Sequence, residues 1–226
     1  MAKPAFPHAG EWNKFWESGQ SPKRARVSFS KRRILNLLQP FVVKGKRALD
    51  AGCGSGFFSK YFCDERMKAT SLDYSSQALQ LTREMTDGRS DIVQADLLNP
   101  DITLEITEKF DLIFTDGLFE HFDADDQNLI MMNLKRLLAE GGLIVTFVPN
   151  KFSPWEWIRP LFMPGIEEKP FTMKELLALN ARNGLTLLRS GGINVWPYYG
   201  SPDRWLGPSF GMLLYTISKV HEPIQS

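Results

Sequence analysis

Leu49-Asp50-Ala51-Gly52-Cys53-Gly54-Ser55-Gly56-Phe57-Phe58 is the stretch whose reading decides the fold. It runs from an apolar strand end, through three alternating glycines, into an apolar helix start. Glycines at every second position let the backbone bend sharply and bring amide N–H groups close to a ligand. The helix beyond adds the positive end of its dipole. A nucleotide-like ligand is expected on this turn, against the plainer alternative of a strand–turn–helix that binds nothing. The spacing is G-x-G-x-G, not the G-x-G-x-x-G of dinucleotide turns. Asp50 also stands two residues before the first glycine, where a carboxylate repels a pyrophosphate and suits a ligand carrying a cation.

Outward from the turn, short apolar runs alternate with amphipathic stretches, the pattern of an α/β sheet. Arg47-Ala48-Leu49-Asp50 is the first strand, and Phe57, Phe58, Tyr61 and Phe62 continue on a helix that rests on the sheet. Ala69 to Asp73 is the second strand, closed by an acid 23 residues after Asp50. In a Rossmann-like sheet such an acid accepts hydrogen bonds from ribose hydroxyls, although it can also cap a helix at Ser75-Ser76. Ile92 to Asp96 is the third strand, with a helix cap before Asn99-Pro100-Asp101 as the competing role for Asp96. Phe110 to Asp116 is the fourth, followed by Gly117-Leu118-Phe119-Glu120-His121-Phe122. Ligands of open parallel sheets bind beyond the carboxyl ends of the strands, which places Asp116, Gly117 and His121 at the site. His121 can take a proton near neutral pH or can merely order its loop.

A helix from about Asp123 is expected to bury Leu129, Met132, Leu134, Leu137 and Leu138 and to end at Gly141-Gly142. Leu143 to Val148 is the fifth strand, apolar enough to be buried on both faces. Pro149 to Pro170 is too long and too Pro-rich for a plain connection. It holds Trp155, Trp157, Phe162 and Met163 beside Lys151, Glu156 and Arg159. Such a loop suits an apolar or ring-bearing acceptor, with Arg159 and Lys151 available to a carboxylate or phosphate on it; a satellite hydrophobic cluster is the alternative. Thr172-Met173-Lys174-Glu175 is a capping box opening a helix to Asn183-Gly184. Leu185 to Val195 supplies the sixth strand, with Gly191-Gly192 as a bend or bulge, and Phe210 to Val220 the last. An aromatic loop between them holds Trp196 to Gly200 and Asp203-Arg204-Trp205.

Upstream, Trp12, Phe15 and Trp16 share one side of a short helix. That helix either folds over the ligand as a lid, bringing Trp12 and Trp16 to the substrate, or packs outside the domain. Gly19 and Pro22 break it, and a second helix runs from about Ser30 to Gln39, with Ile34, Leu37, Leu38 and Phe41 as its stripe and Pro40 as its stop. The chain thus divides into an aromatic and basic extension, 1–29, and a main domain, 30–226, with an acceptor-site insertion at 149–171.

The net charge of +1 is unevenly spread: residues 1–47 hold 11 Lys/Arg against 2 Glu, and the remaining residues carry −8. Lys23-Arg24-Ala25-Arg26 and Lys31-Arg32-Arg33 are the dense clusters. They could meet nucleic-acid phosphates or form a solvated helix face, the reading favoured by the lack of an RNA-binding module. The 226 residues, 43% apolar and 23% charged, suit a soluble protein with one large core. No apolar run is long enough to span a bilayer. The N-terminus has no signal-peptide core, and Cys53 and Cys63 make neither a disulfide framework nor a zinc site. A cytoplasmic protein with free thiols and no metal, monomeric or homodimeric, is expected.

Asp50-x-Gly52-x-Gly54-x-Gly56 resembles motif I of the class I S-adenosylmethionine-dependent methyltransferases, and the resemblance extends over roughly residues 30–220. It implies a doubly wound, mostly parallel seven-stranded sheet, Rossmann-like, with the last strand antiparallel. It implies S-adenosylmethionine as methyl donor and S-adenosylhomocysteine as product, held by Asp50, Gly52, Cys53, Gly54 and Gly56, with Asp73 on the ribose. Tyr74 would lie along the adenine edge and Asp96 and Leu97 at the adenine amino group, with Asp116 and Gly117 closing the cofactor site. The Glu120-His121 pair is similar to that of the type-11 and quinone-biosynthesis branches. In the resembled fold the insertion after the fifth strand shapes the acceptor pocket, here through Trp155, Trp157 and Arg159. The sulfonium is already activated, so the protein's task is to align acceptor and methyl group and exclude water.

Several branches lack their residues here. Amino-methylating DNA enzymes carry Asn/Asp-Pro-Pro-aromatic where this chain has Thr115-Asp116-Gly117-Leu118. Neither cysteine follows a proline, as cytosine-C5 enzymes require. A small-molecule O-, N- or C-methyltransferase is the leading expectation. An RNA or protein acceptor met by the basic N-terminal region is the alternative. A non-catalytic S-adenosylmethionine-binding partner protein is a third possibility, and a nicotinamide enzyme is disfavoured by the glycine spacing.

Overall fold

The computed structural model describes residues 9–17, 29–157 and 168–220. The expectations for Lys23 to Arg26, Arg159, Phe162 and Met163 lie outside these residues.

Seven strands form one sheet in the order β3-β2-β1-β4-β5-β7-β6. They are β1 (Arg47–Ala51), β2 (Lys68–Asp73), β3 (Asp91–Gln94), β4 (Phe110–Asp116), β5 (Leu138–Pro149), β6 (Leu185–Ile193) and β7 (Leu213–Val220). β1 pairs in parallel with β2 and β4, β2 with β3, and β4 with β5. β7 runs antiparallel between β5 and β6. The order reverses between β1 and β4, so the crevice that takes ligands in such sheets opens at their carboxyl ends.

The helices are α1 (Ala9–Glu17), α2 (Phe29–Leu38), α3 (Phe57–Asp64), α4 (Ser76–Met85), α5 (Ile102–Glu105), α6 (Ala124–Leu137), α7 (Met173–Arg182) and α8 (Asp203–Phe210). They cover both sheet faces. Leu49, Ile113, Ile144 and Leu214 pack with α6 and α7 on one face. Ala48, Phe114, Phe147 and Ile217 pack with α2 and α3 on the other. Successive strand residues divide between the two clusters because side chains alternate across a strand. The Thr172–Glu175 capping box forms as read, with both reciprocal bonds in place.

Several boundaries differ from expectation. The buried residues of α6 are Gln127, Ile130, Met131, Asn133, Leu134 and Leu137, and Met132 is 41% exposed. Gly141-Gly142 does not end α6; it lies inside β5, in a bulge between the Leu138–Phe110 and Leu143–Leu112 pairs. A Cβ on Gly142 would stand 2.8 Å from the Phe110 carbonyl oxygen, so the pair relieves crowding in the sheet. β3 stops at Gln94 and leaves Asp96 in the following turn. β6 stops at Ile193, and its irregularity falls between Leu187 and Arg189. Gly191 and Gly192 instead admit neighbours: a Cβ on Gly192 would lie 1.9 Å from the Gly207 oxygen of α8. Asp203 to Trp205, expected as loop, and Phe210, expected to start the last strand, lie in that helix, and β7 begins at Leu213.

The second basic cluster is bound into the fold at Lys31 and Arg33, while Arg32 stays exposed. Arg33 bonds the Trp196 and Tyr198 carbonyls at 2.8 and 2.6 Å and pairs with Asp203 at 3.5 Å. Arg32 bonds the Tyr199 hydroxyl at 2.8 Å, and Lys31 lies 4.0 Å from the Phe57 ring centroid. The cluster straps α2 to the loop after β6.

Candidate active site

The glycine turn has the backbone that its sequence demands. Gly52, Gly54 and Gly56 have φ of +77°, +52° and +75°, a region costly for other residues. The Gly52 and Cys53 amides are bonded to the Leu72 carbonyl at 2.8 and 3.0 Å, which pins the turn to β2. A Cβ on Gly56 would lie 2.7 Å from Thr82 Cα, so this glycine lets α3 and α4 approach. Thr82, which the sequence did not single out, donates to the Gly54 carbonyl at 3.1 Å and meets Cys53 Sγ at 3.4 Å. Burial pushes the Cys53 thiol up, so it stays neutral.

Three carboxyls gather around this turn. Asp50, 3% exposed, accepts from Ser59 Oγ at 2.6 Å. Ser59 in turn accepts from Ser71, which meets Ser90 at 2.6 Å. Burial pushes Asp50 up to about 7; Asp116 and Asp73 add to the rise, and the Ser59 bonds oppose it. Asp73 accepts from the Gly54 and Ser75 amides at 3.0 and 2.9 Å, bridging the glycine turn and the start of α4. Burial raises its pKa against those bonds. Burial also brings Asp116 up to about 6, with Lys31 acting the other way.

Tyr74 is 47% exposed beside this edge. Asp96 is exposed and accepts from the Leu98 amide at 2.8 Å, so its carboxylate closes a local turn. Leu97 is 6% exposed in the main core. Both follow the end of β3 on the same side of the sheet as Asp73.

α1 lies across the turn. The Trp16 ring comes within 2.8 Å of where a Cβ on Gly54 would stand. Asn13 Oδ1 accepts from Ser75 Oγ at 2.6 Å. Trp12 meets His121 edge-on, with ring centroids 4.8 Å apart. α1 thus touches the turn after β1, the start of α4 after β2, and the loop after β4.

In that loop Gly117 takes φ +76°, and Phe119, Glu120 and His121 form a buried single turn. Glu120, which the sequence offered only as half of a pair, is 2% exposed. Among the described residues its Oε2 has no hydrogen-bond partner. Burial drives its pKa well above the carboxylate range; its own backbone amide opposes this, and Glu168, Asp116 and Glu156 add to it. In the described part of the insertion Trp155 is partly buried and Trp157 is 86% exposed. Among the described residues, no cluster of three or more His, Cys, Asp or Glu could hold a metal. No helix there is long and apolar enough to cross a membrane.

Residues 49–144 match the family model described as a methyltransferase domain. The chain is 27% identical over 195 residues to a probable thiol methyltransferase of Arabidopsis thaliana, covering 80% of this chain and 83% of that one. It is 23% identical over 175 residues to the ubiquinone biosynthesis O-methyltransferase of Coxiella burnetii, covering 73% and 74%. Its fold matches the N-methyltransferase NodS of Bradyrhizobium japonicum in complex with S-adenosyl-L-homocysteine at a TM-score of 0.66. That match has 16% identity and covers 93% of this chain and 99% of that one. Residues 49–144 thus carry a methyltransferase domain, and with its glycine turn, its strand-end acids and a sheet of this order the chain is similar to the class I S-adenosylmethionine-dependent methyltransferases.

Proposed function

We propose that this protein transfers the methyl group of S-adenosylmethionine to a small-molecule acceptor with an apolar or ring-bearing body and an O–H, N–H or S–H nucleophile. The observation that carries the cofactor assignment is the gathering of Asp50, Asp73 and Asp116 at a turn made of left-handed glycines. A pyrophosphate would be repelled by these acids. A ligand with a cationic amino-acid end relieves their mutual repulsion and favours their ionised forms.

In this reading the backbone of Gly52 to Gly56 and the Asp50 carboxylate receive the amino-acid end. The carboxylate of Asp73, already oriented by two backbone amides, takes the ribose hydroxyls. Tyr74, Asp96 and Leu97 border the base, and Asp116 and Gly117 close the floor. The bound cofactor supplies an activated methyl group. The chain's own contribution is to hold the acceptor in line and keep water out. α1 covers the site through Trp12, Asn13 and Trp16, and His121 and Trp155 form part of the acceptor wall. The family relatives named above as thiol, O- and N-methyltransferases set the acceptor classes to try.

The test is to incubate the protein with methyl-labelled S-adenosylmethionine and panels of phenols, thiols, amines, RNA and protein. Label in a ring-bearing small molecule is expected. Label confined to RNA or protein would contradict the proposal.

A further inference from the structure

Glu120 follows β4, four residues beyond Asp116 and one before His121. Its surroundings hold it rigidly. Phe119 beside it is fully buried. Gln127 donates to the Phe119 and Phe122 carbonyls at 3.1 and 3.0 Å, and the Lys169 amide donates to the Glu120 carbonyl at 2.9 Å. The carboxyl turns back to the end of β4, with Oε1 3.4 Å from where a Cβ on Gly117 would stand. Its other oxygen, Oε2, is buried without a partner among the described residues. A buried polar atom left this way costs stability. An alkyl side chain would fill the space without that cost, so the packing of the core does not account for a carboxyl here.

We propose that Glu120 is the catalytic acid–base of the acceptor side: its carboxyl receives the proton that the acceptor's nucleophilic O–H, N–H or S–H loses on taking the methyl group. The inference rests on the function proposed above. The nucleophilic atom forms its bond to the methyl carbon as the carbon–sulfur bond breaks. The sulfur keeps the electron pair as a neutral thioether, and the acceptor's proton passes to the Glu120 carboxylate and from there to water.

The charges around Glu120 set its timing. Asp116 at the end of β4, Glu156 after β5 and Glu168 before α7 all oppose its ionisation, and burial opposes it most. His121 is its chain neighbour, and Lys31 at the start of α2 acts on Asp116. In the resting protein burial and these charges favour the neutral carboxyl. Glu120 gives up its proton when a positive sulfur is brought beside it and keeps the proton when the sulfur is a neutral thioether. The base is thus readied only when a methyl group is present to transfer.

Proton release on binding tests this without knowledge of the acceptor. S-adenosylmethionine and S-adenosylhomocysteine are each titrated calorimetrically into the full chain near neutral pH, in two buffers of different ionisation enthalpy. Both ligands carry the amino-acid end, so their difference isolates the sulfonium. The wild-type protein is expected to release more protons with S-adenosylmethionine. Glu120→Gln loses that excess while binding S-adenosylhomocysteine within about threefold of wild type. Glu120→Asp, a second variant should the first misfold, shifts the pH at which the excess appears. Equal release for both ligands in the wild type overturns the proposal. So does an excess that survives Glu120→Gln, or an unchanged profile in Glu120→Asp. Failure of both ligands to bind overturns the functional reading beneath it, a result visible as the absence of any binding heat.

Discussion

The floor beneath the glycine turn is built from residues 50 to 82: Asp50 on Ser59, Gly54 between Asp73 and Thr82, Gly52 on Leu72. The edge above β4 is assembled from distant pieces: Trp12 against His121, Lys169 on Glu120, and acids from residues 116, 156 and 168 around one carboxyl. The first region is a short-range object whose geometry follows from glycine spacing and strand ends. The second exists only once segments more than a hundred residues apart have met. A cofactor site written locally and an acceptor site written globally can change independently, which lets one fold serve many acceptors.

The comparison can be broken most forcefully at Gly56. Gly56→Ala puts a Cβ 2.7 Å from Thr82 Cα at a positive φ. A stability loss of about 3 kcal/mol in denaturant unfolding is expected, with loss of S-adenosylhomocysteine binding. A variant as stable as wild type would mean that the turn is not built as described.

Asp73→Ala removes the acceptor of two backbone amides and is expected to weaken S-adenosylhomocysteine by about 1–3 kcal/mol in calorimetry. Asp50→Asn sharpens the contrast between stability and binding. The folded carboxyl stands at about 7 against an ordinary aspartate value of 3.8. Its contribution to stability is therefore full below the unfolded pKa and is lost as pH rises through about 7. Asn carries no such charge, so the ligand-free variant should be more stable than wild type at neutral pH, by at least ~1 kcal/mol. It should also bind S-adenosylhomocysteine more weakly. A lower melting temperature at neutral pH would contradict this account of Asp50.

Arg33→Ala is the smallest of these effects and lies outside both regions. It releases the strap between α2 and the loop after β6 and should lower stability by about 1 kcal/mol. Cofactor affinity, read in the same calorimeter, should not move.

The sequence carried the local half of the molecule well. Asp50-x-Gly52-x-Gly54-x-Gly56, the acids ending β2 and β4, and the Thr172–Glu175 box each depend on neighbours within a few residues, and each forms as read. It failed where tertiary contacts decide. Gly141-Gly142 has the composition of a helix stop, yet pairing of Leu138 with Phe110 drew it into β5. Met132 is as apolar as Met131, and only the direction of the sheet selects which is buried. Lys31-Arg32-Arg33 reads as a charged surface because its partners, Asp203 and the Trp196 to Tyr199 loop, are some 165 residues away. Glu120 gave no signal beyond its adjacency to His121, since burial of a carboxyl is a property of the assembled loop.

The central claim is that the glycine turn with its acids receives a nucleoside bearing a cationic amino-acid end. Thermal unfolding of the wild-type protein with S-adenosylhomocysteine, S-adenosylmethionine or NAD tests it most directly, because a ligand that binds only the folded state raises the melting temperature. Stabilisation by both sulfur nucleosides and none by NAD is predicted; stabilisation by NAD alone would contradict the account.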